Sequence, residues 1–155
     1  MKTLHQFVFG FLSILILISC AASKSIPNQF KTKLPENVTY SVGFESLWYD
    51  LGQETASLKS LSKYEPSEKL IAQYGLKRLD DKKKTVVVTG YLEVSSDFDA
   101  NAIGLMGGQI TSLSKNIVSF TCPIVRLPEL LQVKGINNIE LPTRIIIRKP
   151  ITKNN

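Results

Sequence analysis

The chain has 155 residues, 43% of them hydrophobic, and carries a formal net charge of +6. Its only histidine is His5, and its cysteines are Cys20 and Cys122. Ser-His-Asp and Cys-His nucleophile systems and imidazole zinc sites all need a histidine in the working domain. With His5 confined to an N-terminal apolar stretch, and with no carboxylate pair standing out for glycosidase-type chemistry, the expectation is a protein that is not an enzyme and has no cofactor, metal ligand or catalytic residue.

The chain opens Met1-Lys2, runs apolar over residues 7–18 and closes on Leu17-Ile18-Ser19-Cys20. A positive start, a short apolar core and a small residue at the cut describe a secretory signal peptide. The 12-residue apolar run is shorter than the roughly 20 residues that span a bilayer. The closing tetrapeptide resembles the lipobox of bacterial lipoproteins. That resemblance implies residues 1–19 as signal, lipidation of the Cys20 thiol (diacylglycerol, with palmitate among the acyl chains), and attachment to the cell envelope. Ala21 after the cysteine resembles the pattern sent to the outer membrane of Gram-negative bacteria. Removing residues 1–19 takes Lys2 away and leaves 136 residues with 18 basic and 13 acidic side chains, +5, a surplus suited to an acidic partner, an anionic surface or plain solubility. Cys122 then has no intrachain partner, so the fold rests on packing rather than on a disulfide.

Residues 20–39 are polar, with Pro27 and Pro35, and read as a tether between lipid and domain. Residues 40–84 read as a helical segment. Phe44, Leu47, Trp48, Leu51, Leu58 and Leu61 recur at helical spacing and predict a helix over 44–61, weakened by Gly52. Trp48 and Tyr49 are assigned to packing rather than to an exposed pair. A short helix is expected over 66–74, opened by Pro66 and stopped by Gly75. Residues 80–84, Asp-Asp-Lys-Lys-Lys, read as a solvated turn. Residues 85–94 form a β-branched run that predicts a central strand. Asp97-Phe98-Asp99-Ala100-Asn101 imitates a calcium loop but places Ala102 and Gly108 where the loop glycine and glutamate belong. A helix capped by Asp97 or Asp99, with Ile103 and Met106 inward and Gly107-Gly108 at its end, is the better reading. Strands follow over 109–113 and 117–124, the second with Val118, Phe120, Cys122 and Ile124 on one face. Cys122 is therefore expected as a buried small hydrophobe. Pro128 opens a short leucine-bearing helix, Gly135 closes it, and residues 136–141 return as a strand.

From residue 85 the order is strand, helix, strand, strand, helix, strand. The expected fold class is α+β: a ferredoxin-like βαββαβ sandwich preceded by a helical N-terminal segment, with two helices on one face of an antiparallel sheet. Leu105-Met106-Gly107-Gly108-Gln109-Ile110 leads into residues 117–124, then Leu127, Leu130 and Leu131, then Gly135-Ile136-Asn137-Asn138-Ile139-Glu140. This pattern of apolar residues and glycines, over about half the chain, resembles the propeptide (inhibitor) domain of subtilisin-type serine proteases. The resemblance implies a propeptide-like domain over 85–147 and a flexible tail over 148–155. It further implies a sheet laid against a protease and a C-terminal segment entering its cleft as an added strand. The segment in that place here is Thr143 and Arg144, then Ile145, Ile146 and Ile147, then Arg148, Lys149 and Pro150. No protease domain follows in this sequence, which leaves three expectations: an inhibitor or folding helper acting in trans, a relict whose enzyme was lost, or a domain reused for other binding.

The first functional expectation is thus a lipid-anchored, propeptide-like inhibitor or folding helper of a subtilisin-type protease, held to the membrane through its N-terminal lipid. The alternative is a non-enzymatic structural or protein-binding lipoprotein of the envelope. Nucleic acid is not an expected partner, because the strand over 117–124 offers only Phe120 where RNA-binding sheets stack several aromatics.

Overall fold

The computed structural model describes residues 26–80 and 85–142. They form a mixed α/β structure with six strands and four α-helices. The organising element is the strand β3 (Thr85–Val94). Its β-branched residues favour the extended backbone, and from Val88 onward its side chains alternate: Val88, Gly90, Leu92 and Val94 are buried while Thr89, Tyr91 and Glu93 are exposed. One side of β3 pairs antiparallel with β5 (Ile117–Pro123) over residues 87–93. Its other side is shared between β2 (Lys77–Asp80), which pairs with its beginning, and β6 (Ile136–Glu140), which pairs with its end. The changeover falls at Gly90. A Cβ there would lie 2.5 Å from the Glu140 carbonyl oxygen and 2.8 Å from the Phe120 ring, so only glycine lets these backbones approach.

The strand order is β1-β6-β3-β5-β4, with β2 attached to β3. Here β1 is Thr39–Tyr40 and β4 is Gln109–Ser112. The sheet is mixed, because β1 runs parallel to β6 while the other pairs are antiparallel. The helices are α1 (Val42–Glu54), α2 (Glu68–Tyr74), α3 (Ala100–Leu105) and α4 (Leu127–Leu130), the last preceded by a 3-10 turn at Ile124–Arg126. Asp99 caps α3, its carboxylate accepting from the Asn101 and Ala102 N–H groups. Val87, Phe120, Leu130 and Ile139, on four different elements, are each 1% exposed or less.

Helix α1 ends earlier than the 44–61 periodicity predicts. Phe44, Leu47, Trp48 and Leu51 do face the core, but Tyr49, expected to pack with Trp48, falls on the opposite side of the helix and is exposed. At Thr55 the hydroxyl donates back to the Leu51 carbonyl at 2.7 Å. The Asn28 side-chain amide donates to the Thr55 and Leu58 carbonyls at 2.8 and 3.1 Å, capping the helix from a distant segment. Leu61 still reaches the core, but from a turn. Helix α2 starts at Glu68 rather than Pro66, because Ser67 is the N-cap and accepts from the Leu70 N–H.

The tether expected over 20–39 holds a packed portion. From Ile26 the chain first lies against the loop that follows α1: the Leu61 N–H donates to the Ile26 carbonyl at 2.8 Å, and Pro27 bridges Ser60. Phe30 is 3% exposed and meets Trp48 edge-on at 4.9 Å, while the Trp48 indole N–H donates to the Thr32 carbonyl. The Phe30 carbonyl lies 3.0 Å from where a Gly52 Cβ would stand, so the glycine that weakens α1 makes room for this crossing. Four apolar residues in a polar stretch account for the packing: Phe30 and Val38 are buried, and Ile26 and Leu34 pack half-buried against the core. Residues from α1, α3, α4 and the sheet then form a single apolar core, in which Phe44 and Leu47 join Leu92, Phe120, Leu127 and Ile139.

Candidate functional site

The predicted lipidation site, Cys20, and the predicted partner-binding residues 143–150 lie outside the described residues. The structure does describe where the C-terminal segment departs. Ser41, the N-cap of α1, accepts from the Leu141 N–H at 3.1 Å, and its own N–H donates to the Ile139 carbonyl at 3.0 Å. Leu141 is buried beside Gly43, and Pro142 is exposed. The chain therefore leaves β6 next to the first turn of α1.

The sheet has one face in the core and one turned outward. Pairing registers arrange the outward side chains in rows: Thr89, Thr121 and Gln109; then Glu140, Tyr91, Ser119 and Thr111; then Thr39, Asn138, Glu93 and Ile117. All are exposed or half-buried. Tyr91, at 41% exposure, is the large aromatic at the centre. Hydroxyls, amides and two carboxylates on a regular sheet make a surface that hydrogen-bonds a partner and favours a basic one.

A second surface runs between α1 and α2. Asp50 and Glu54, four residues apart on α1, point the same way. Tyr74 and Gln73 donate to the Asp50 carboxylate at 2.7 and 3.1 Å. Tyr64 and the Ser67 N–H donate to Glu54 at 3.0 and 2.7 Å. Burial first, then the Asp50 hydrogen bond and charge, push the Tyr74 phenol up to about 12. Burial and Glu54 likewise raise Tyr64. Both phenols stay protonated near neutrality and serve as fixed donors. Two adjoining recesses of about 280 and 360 Å³ lie along this groove, both open to solvent.

Cys122 is fully buried, as its place on the apolar face of β5 predicts. Burial, then the charge of Glu129, push its thiol up to about 12, which leaves it protonated and unreactive. Among the described residues no group of His, Cys, Asp or Glu is arranged to hold a metal ion, and no helix is long and apolar enough to cross a membrane.

Sequence reasoning missed both surfaces. The i, i+4 spacing of Asp50 and Glu54 was a visible signal, as was the alternation through Tyr91 and Glu93. Which helix would face the two carboxylates, and which strands would flank Tyr91, are products of long-range pairing. Comparison with protein-family models, with curated proteins and with solved structures gives no match.

Proposed function

We propose that this protein is a lipid-anchored, non-enzymatic protein-binding module of the cell envelope, attached through Cys20, whose sheet and C-terminal segment engage a subtilisin-type protease as inhibitor or folding helper. The observation that carries this reading is the polar face of the sheet, exposed or half-buried among the described residues, on a sheet whose strand β6 is followed in sequence by Leu141, Pro142 and then residues 143–150. The strand order β6-β3-β5-β4, with antiparallel neighbours and α3 and α4 in the crossovers, supports the ferredoxin-like arrangement that the propeptide resemblance implies. In this reading the outward face meets the protease. Residues Thr143 to Ile147 add as a strand in the cleft, with alternate isoleucines in apolar subsites. Pro150 lacks an N–H and resists cleavage after Lys149.

The test is residual activity of a subtilisin-type protease from the same envelope, titrated with the acylated protein in detergent. Inhibition that is lost on deletion of residues 143–155, with an unchanged circular dichroism spectrum, is the expected result. No inhibition, or equal inhibition by the truncated form, discards the protease as partner.

A second reading, a binding lipoprotein with another envelope protein as partner, is favoured by one observation. Strand β1 and helices α1 and α2 share the core with the sandwich, so the unit is larger than the part the propeptide resemblance covers. Capture of a non-protease partner that depends on Tyr91 and Glu93 supports it.

A further inference from the structure

The groove between α1 and α2 continues past Asp50 and Glu54 to the point where the C-terminal segment departs. At one end it is lined by Val42, Gly43, Tyr74, Leu141 and Pro142. Its middle is lined by Glu45, Tyr49, Asp50 and Tyr74. Its far end is lined by Asp50, Gln53, Glu54 and Lys69. Shared lining by Ser46, Gln73 and Asp50 makes these three stretches one channel.

The geometry points to this groove as a binding site for an extended apolar-then-basic peptide, and to residues 143–155 of the same chain as its occupant. Three observations carry the assignment. The first is connection: Leu141 and Pro142 line the entrance, so the segment that follows them in sequence is tethered at the mouth of the groove. The second is charge: Glu45, Asp50 and Glu54 face the channel against Lys69, and no ion pair holds the three carboxylates among the described residues. Residues 143–155 carry Arg144, Arg148, Lys149 and Lys153 and no acid. Tyr and Ser donors have oriented Asp50 and Glu54 without neutralising them.

The third observation is apolar order and length. Val42 and Tyr49, 78% and 65% exposed, come before Glu54 along α1. Ile145, Ile146 and Ile147 come before Arg148 and Lys149 in the tail. Helix α1 from Val42 to Glu54 spans about 18 Å at about 1.5 Å per residue. An extended segment from Pro142 to Arg148 covers about 20 Å at about 3.3 Å per residue. The isoleucines thus fall beside Val42 and Tyr49, and the basic pair reaches Glu54. The assignment does not rest on the protease reading. If both hold, the groove is where the segment rests when no cleft takes it.

The experiment is zero-length carbodiimide cross-linking of the whole chain in detergent micelles, using a mixture of light and isotopically heavy protein, with the linked peptides identified by mass spectrometry. The Lys134–Asp97 ion pair, at 3.1 Å, serves as an internal control remote from the groove. The expected result is an intrachain link from Lys149 or Lys153 to Glu45, Asp50 or Glu54. Its yield should fall about fivefold or more in about 1 M salt, where screening acts within about 3 Å. Tyr49→Arg, at an exposed position, should lower the yield several-fold while the control link persists. Tail links only between light and heavy chains would assign the groove to a second copy and overturn the proposal. Links to Glu93 or Glu140 on the sheet face, or no tail link beside a normal control, would overturn it as well.

Discussion

Adjacent residues of β5 meet opposite environments. Phe120 is 1% exposed and packs against the position of Gly90, whereas Ser119 and Thr121 on either side of it face outward beside Tyr91 and Thr89. β3 keeps the same alternation from Val88 to Val94, so over that stretch one face of the sheet carries the stability and the other is free to vary. Helices α1, α3 and α4 contribute only to the first face's core. The outward face is available for recognition because almost nothing about the fold depends on it.

Substitutions that cross this divide should separate the faces sharply. Phe120→Ala removes a fully enclosed ring and should cost about 3–5 kcal/mol in denaturant unfolding. Leu47→Ala, on α1, should cost about 2–5 kcal/mol and shift a single transition read by both Trp48 fluorescence and circular dichroism, because α1 shares the sheet's core. Two separate transitions would split the molecule at residue 84 instead. Ser41→Ala removes an N-cap that also holds Leu141 and should cost about 1 kcal/mol. On the outward face, Thr111→Ala should stay within about 0.5 kcal/mol of wild type, and Tyr91→Ala should reduce partner capture far more than stability.

The groove offers a finer test by pH. Burial and the Asp50 carboxylate raise the Tyr74 pKa in the folded state to about 12 from the ordinary phenol value of 10.0. A raised folded pKa favours the protonated form, so the stability it contributes is present below pH 10 and is lost as pH rises toward 12. Tyr74→Phe should flatten that part of the stability profile. At the acid end the Arg78 guanidinium, by hydrogen bond and charge, lowers the Glu68 pKa. Its small contribution is present at neutral pH and fades as pH falls through the carboxylate range.

How far the sequence spoke for itself differs from segment to segment. The ten residues of β3, the alternation through Val118, Phe120 and Cys122, the Asp99 cap and the glycine stop at Gly75 follow from neighbours within a few positions, and those were legible. Local rules such as spacing, capping and β-branching act over one turn or one pleat, and they settle which residues are helical, extended or buried. The end of α1 was not legible, because Asn28 imposes it from 27 residues away. Nor were β1 and β2, whose short sequences become strands only when β6 and β3 supply the partners. The packing of Phe30 over Gly52 and the meeting of Asp50 with Tyr74 likewise needed the folded chain. The sequence by itself determined an alternating sheet core, a buried inert thiol and a basic, isoleucine-rich C-terminal segment. Only the tertiary structure decided which face of the sheet stays open and which carboxylates line the groove where that segment begins, because those are contacts between residues that sequence distance keeps apart.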